Sequence, residues 1–185
     1  SEGSATCQAC AAGKFVSTIG SSSCFECPQG WKRAELDSPT TCKQCDMGKK
    51  ASSEGSSTCQ ICAAGKYVST EGSSSCLKCP QGWKSAVLNP HQMTLTRYWP
   101  TSCLQCNRGE KAFSEGSATC QTCAAGKYVS TKGSPDCFDC PQGWKRAELD
   151  SPTTCKQCEM GEKASSNGSA TCQTCAAGKY VSTKG

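Results

Sequence analysis

All 20 cysteines of the chain fall in Cys-x-x-Cys pairs, and the ten pairs recur at almost constant spacing. The pairs open at Cys7, Cys24, Cys42, Cys59, Cys76, Cys103, Cys120, Cys137, Cys155 and Cys172. Between successive pairs lie 13, 14, 13, 13, 23, 13, 13, 14 and 13 residues, so the elementary unit is about 17 residues long. A unit this short cannot bury enough surface to fold alone and needs a covalent or metal staple. Composition agrees, because the 36% hydrophobic fraction includes the cysteines and leaves too little apolar material for one shared core.

The units cycle through three flavours. The first reads Cys-Gln-x-Cys-Ala-Ala-Gly-Lys-(Phe/Tyr)-Val-Ser-Thr and starts at Cys7, Cys59, Cys120 and Cys172. The second, Cys-x-x-Cys-Pro-Gln-Gly-Trp-Lys, starts at Cys24, Cys76 and Cys137. The third, approximately Cys-(Lys/Leu)-Gln-Cys-x-x-Gly-x-Lys-Ala, starts at Cys42, Cys103 and Cys155. Three units make a super-repeat of 52 residues, stretched to 61 in the middle copy by one insertion. Fixed-period self-similarity of this kind marks a solenoid or linear array. The organisation reads as the end of a preceding repeat (1–6), super-repeats at 7–58, 59–119 (with an expanded loop at 85–102) and 120–171, and the start of a further repeat (172–185).

The glycines keep the same register. Ten sit three residues after the second cysteine of each pair, seven more sit four residues before a first cysteine, and Gly185 falls in the latter slot of the cycle. Such punctuation fits turns with positive φ and close chain approach. Short β-favouring stretches such as Lys66–Thr70 stand between turn signals, and no window sustains a helical apolar period. The expected fold is a small disulfide-rich one: a linear, solenoid-like array of short β-hairpin and loop units with little or no helix.

Three chemistries compete for the cysteines. Structural disulfides would each add about 3 kcal/mol by closing loops of this size. Zinc is the second, since two pairs 13 residues apart approach four-thiolate ribbon spacing, and ten pairs would make five sites. Against it, such sites group pairs by twos, whereas the units cycle in threes. Redox catalysis is the third, but that chemistry wants a pair at a helix N-terminus, and these pairs lie in glycine-punctuated loops. Disulfides fit best, and spacing alone leaves their connectivity open.

The pattern Cys-x-x-Cys-(Pro/Ala)-x-Gly-x-(aromatic)…Gly…Cys resembles the ephrin-receptor-like cysteine-rich repeats of extracellular proteins. It is also similar to tumour-necrosis-factor-receptor and EGF-like modules. The resemblance implies that the second cysteine of each pair closes onto the first of the next. That gives Cys10–Cys24, Cys27–Cys42, Cys45–Cys59, Cys62–Cys76, Cys79–Cys103, Cys106–Cys120, Cys123–Cys137, Cys140–Cys155 and Cys158–Cys172. Cys7 and Cys175 would then pair with units outside this window, as expected if the array runs on past both ends. An interleaved scheme, such as Cys7–Cys24 with Cys10–Cys27, is the alternative, and the insertion favours neither. The third flavour departs from the family pattern, with Lys50, Lys111 and Lys163 near the aromatic place.

Other features narrow the function classes. The net charge of +5 comes from singly scattered residues, which argues against a nucleic-acid face. No apolar run approaches the ~18 residues of a membrane span. The lone His91, beside Pro90, belongs to no nucleophile constellation, so neither an enzyme nor a cofactor is expected. Asn167-Gly168-Ser169 is the one N-glycosylation sequon, and Ser/Thr runs suit O-linked sugars on a secreted chain. The insertion carries Leu95, Tyr98 and Trp99, which read either as cover for a looser hairpin or as a contact knob. Trp31, Trp83 and Trp144 at one slot, and Phe15, Tyr67, Tyr128 and Tyr180 at another, read as packing between adjacent loops.

Two functions follow as expectations. One is an extracellular structural array: a rod, fibril or surface appendage that associates with itself or with matrix and surface proteins. The other is the stalk or ligand-binding ectodomain of a receptor or adhesin. Cys27–Cys45 and Cys140–Cys158 are the same 19-residue string, and such near-identity favours a repeated surface over one distinctive patch.

Overall fold

The computed structural model describes residues 6–18, 20–86 and 99–184. These divide into two compact units, one of Ser1–Leu77 with Ala86–Ser102 and one of Lys78–Ser85 with Cys103–Gly185. Both are built from two- or three-residue strands, and no helix occurs among the described residues. In the first unit, Lys14–Phe15 pairs with Phe25–Glu26, Trp31–Lys32 with Lys43–Gln44, and Lys49–Lys50 with Gln60–Ile61. In the second, Trp83–Ser85 pairs with Cys103–Gln105, Glu110–Lys111 with Gln121–Thr122, and Lys127–Tyr128 with Phe138–Asp139. Trp144–Lys145 with Lys156–Gln157 and Glu162–Lys163 with Gln173–Thr174 complete it. Every pair is antiparallel. The chain is a small disulfide-rich array of hairpins.

Sequence explains each hairpin locally. One strand is the x-x of a Cys-x-x-Cys pair, and the other follows the glycine of the preceding pair. That glycine completes a tight turn, as when the Trp31 N–H donates to the Pro28 carbonyl at 3.0 Å around Gly30, whose φ is +83°. A positive φ at the third turn position is glycine's place in a type II turn. The disulfide then clamps the same hairpin. Nine bridges run from the second cysteine of one pair to the first of the next: Cys10–Cys24, Cys27–Cys42, Cys45–Cys59, Cys62–Cys76, Cys79–Cys103, Cys106–Cys120, Cys123–Cys137, Cys140–Cys155 and Cys158–Cys172. Their Cα–Cα distances of 5.6–5.8 Å are ordinary for a disulfide. The interleaved scheme is not adopted, and the eighteen bridged sulfurs are not available as zinc thiolates.

A core in the usual sense is replaced by a spine. The second cysteines from Cys27 to Cys158 are buried, and six residues beyond each lies one further core position. That position holds Val16, Arg33, Ala51 and Val68 in the first unit, and Ser85, Ala112, Val129, Arg146 and Ala164 in the second. All of these but Val16 are buried. Each flavour thus supplies its own filler: valine, then arginine or serine, then alanine.

The backbone of the same positions carries hydrogen bonds between neighbouring repeats. In the first unit, the Gly30 N–H donates to the Ala51 carbonyl at 2.8 Å, and the Ala51 N–H donates onward to the Ser73 carbonyl at 3.1 Å. In the second, Gly109 donates to Val129 at 2.9 Å, and Val129 to Pro152 at 3.0 Å. Pairing buried peptide groups this way avoids the cost of leaving them unsatisfied, which a thin core could not offset.

The two glycine slots meet each other. A Cβ added at Gly30 would lie 1.8 Å from the carbonyl oxygen of Gly72, and one at Gly126 would lie 2.0 Å from that of Gly168. Only hydrogen fits at Gly30 and Gly126, while at Gly72 and Gly168 a positive φ of 68° and 73° favours glycine.

Candidate interaction surface

Two copies of one 19-residue string, one in each unit, build the same rigid turn. In the first unit the fully enclosed Arg33 spends its guanidinium on backbone carbonyls rather than on a carboxylate. Its Nη2 donates to the carbonyls of Cys10 at 2.6 Å and Ala11 at 2.8 Å, its Nε to that of Lys14, and its Nη1 to that of Asp37 at 3.4 Å. In the second unit Arg146 repeats the arrangement on the carbonyls of Cys123, Lys127 and Asp150. Arginine's planar fork of five donors suits several fixed acceptors at once, and lysine could not substitute. Buried charge this costly persists only when its hydrogen bonds are met, and no buried side-chain donor or acceptor lacks a partner among the described residues.

An aspartate locks the outer half of the turn. Asp37 accepts from the Ala34 N–H at 2.9 Å, from Lys32 at 3.1 Å and from Lys43 at 2.6 Å. The Lys43 bond first, then the Ala34 N–H and Lys32, hold its carboxyl well below the usual carboxylate range. Asp150 accepts from Lys156 and the Ala147 N–H, and these two bonds, in that order, likewise lower its pKa. The turn held this way lifts Leu36 and Leu149 fully into solvent.

Further apolar side chains stand exposed along the hairpins. Phe25 and Ile61 lie between the cysteines of their pairs in the first unit, as do Leu104 and Phe138 in the second. Phe15 tilts against Phe25 with ring centroids 6.1 Å apart, and Tyr128 against Phe138 at 6.3 Å. These contacts join neighbouring repeats, while Trp31, Trp83 and Trp144 are half-buried. Tyr180 is largely exposed.

Of the expanded loop, Leu95 and Tyr98 lie outside the described residues, as does His91. Trp99 is half-buried and turns inward. A Cβ on Gly48 would sit 2.3 Å from the Trp99 Cβ, and the Lys49 ammonium lies 4.0 Å above the indole centroid. Next to it, the Pro100 carbonyl accepts from the Val68 N–H at 3.0 Å, the bond that Pro39 makes with Val16 and Pro152 with Val129. The insertion therefore returns to register by its last residues.

Asn167 is exposed, and its Oδ1 accepts from the Gln142 N–H at 3.1 Å. Cys7 is exposed and Cys175 half-buried, and neither is bridged. No group of three or more histidine, cysteine, aspartate or glutamate side chains suited to a metal ion occurs among the described residues, and no helix there is long and apolar enough to cross a membrane. Sequence reasoning missed Arg33, Arg146, Asp37 and Asp150. The available signal was their place in the longest string that recurs without change.

Comparison with curated proteins finds no match for the chain. Residues 48–87 match the family model described as tyrosine-protein kinase ephrin type A/B receptor-like. This segment holds the Cys62–Cys76 bridge and the first cysteines on either side of it, Cys59 and Cys79. Residues 48–87 thus carry an ephrin-receptor-like cysteine-rich repeat, and the nine tandem disulfides fit the same kind of repeat along the rest of the chain.

Proposed function

We propose that the chain is an extracellular structural repeat protein, a segment of a rod, fibril or surface appendage that works by presenting one surface many times. The observation that carries this reading is the duplicated Arg–Asp turn: Arg33 with Asp37 and Arg146 with Asp150 hold the same backbone and expose the same leucine. A recognition site for one soluble ligand needs a distinctive patch, whereas a polymer or spacer needs a repeated one. Disulfides at this density persist in oxidising compartments, which supports secretion or display at the cell surface. On this reading the chain carries no catalysis, its partners are further copies or other matrix and surface proteins, and Asn167 and the Ser/Thr runs carry glycans.

The family match favours a second reading, the stalk or ligand-binding ectodomain of a receptor or adhesin. Electron microscopy of the native material separates the two. Filaments with a regular axial repeat support the structural role, and dispersed single molecules that bind a soluble ligand refute it.

A further inference from the structure

The two copies of the 19-residue string are identical, yet what faces them differs. In the first unit Lys32 and Lys43 are register partners across their hairpin. They share an open groove of about 410 Å³ with Lys49, Gln44, Asp46, Ser57 and Thr58. Each ammonium has three donors. Lys32 and Lys43 each give one to the single carboxylate of Asp37, and Lys49 gives one to Asp46 at 2.8 Å. Three cations therefore face two carboxylates, with donors to spare and hydroxyls beside them. Lys49 is also steadied by the Trp99 ring beneath it.

In the second unit Lys145 and Lys156 again face each other across the strands. By sequence, Glu162 stands where Lys49 does, Glu159 where Asp46 does and Ala170 where Ser57 does. Lys184 pairs with Glu159 there at 2.5 Å, so three cations, Lys145, Lys156 and Lys184, stand against three carboxylates, Asp150, Glu159 and Glu162. The surplus cation of the first groove is thus absent from the second, and one hydroxyl is lost.

We infer that the groove of Lys32, Lys43, Lys49, Ser57 and Thr58 binds a tetrahedral oxyanion, a sulfate or phosphate group, and that its counterpart in the second unit does not. Three ammonium groups and two hydroxyls around one concavity supply charge and directed donors together, the combination oxyanions select. The inference rests on this groove alone and stands whichever functional reading holds.

Titration of the isotopically labelled full chain, followed by two-dimensional amide NMR against chloride of matched ionic strength, tests it. Inorganic sulfate and inorganic phosphate should each give saturable shifts at residues 32, 43, 49, 57 and 58, with residues 145, 156 and 171 unmoved. Lys49→Glu should weaken binding about tenfold, as expected for reversing one charge at close range. Because Lys49 also touches Trp99, the reciprocal Glu162→Lys provides the second arm. It leaves the first unit untouched and should create saturable shifts at residues 145, 156 and 171. A monosulfated disaccharide that binds more tightly than inorganic sulfate assigns the anion to a glycan, whereas equal affinity assigns it to the free ion. Shifts that chloride reproduces, that fail to saturate, or that are equal at both grooves overturn the proposal.

Discussion

The loop closed by Cys140–Cys155 and the loop closed by Cys79–Cys103 are the same element of the super-repeat, held in different ways. The first spans 15 positions and is filled by Arg146, which ties Cys123, Lys127 and Asp150 to one guanidinium. The second spans 24 positions and has the buried Ser85 at the arginine place. Its far edge is fixed by backbone, where Ala86 donates to the Ser102 carbonyl at 3.1 Å and Pro100 accepts from Val68. The contrast shows which part of the unit is obligatory. The disulfide and the proline carbonyl are kept in both loops, while the side chain that fills the loop is exchangeable.

The largest test of that contrast is to empty the arginine place. Arg146→Met should strand several buried carbonyls and cost about 4 kcal/mol, since each unsatisfied buried acceptor costs about 1–3 kcal/mol. Ser85→Ala should cost about 1 kcal/mol. Thermal unfolding of the two variants checks this, and equal losses would mean the arginine is dispensable.

Slightly smaller is the glycine test. Gly126→Ala should cost about 3 kcal/mol, from strain at positive φ plus the clash with the Gly168 carbonyl. Gly161→Ala meets open space and should cost only the conformational part, about 1–2 kcal/mol. Denaturant titration of both variants separates close approach from backbone preference.

Trp99→Ala probes the expanded loop itself. Removing a half-buried ring and its cation–π partner should cost about 1.5 kcal/mol, with amide exchange rising at Gly48 and Lys49. Unchanged exchange there would make Trp99 a surface ornament and restore the contact-knob reading.

The mildest effect is acid dependence. The Asp37 and Asp150 carboxyls titrate below their ordinary value of 3.8, so the stability they add is fully present above that value. It is lost as pH falls through the depressed folded pKa. Carboxyl NMR titration should show both still ionised below pH 3.8, and Asp150→Asn should remove its share of the acid limb. The middle super-repeat has Asn89 at this place in sequence and contributes no such step.

Much of this architecture was legible in the residues. Cysteine spacing and the glycine slots specify the unit, and the family resemblance implied the bridge order, because both follow from short, fixed motifs. The spine position was harder to read. Val129, Arg146 and Ala164 share no chemistry, so only the three-fold cycle hints that they occupy one place, and hydropathy argues against a buried arginine. Its burial depends on carbonyls more than twenty residues earlier, such as that of Cys123, which no local pattern records. The charge reversal between Lys49 and Glu162 was visible as sequence, but acquired meaning only once the hairpins set both beside a lysine pair.

The central claim is that sequential bridges and a backbone spine hold an array that has almost no apolar core. Non-reducing proteolysis with mass spectrometry of the linked peptides tests it most directly. Nine linkages from the second cysteine of each pair to the first of the next are expected, including Cys10–Cys24, Cys79–Cys103 and Cys158–Cys172. Linkages such as Cys10–Cys27, or free thiols with stoichiometric zinc, would contradict it.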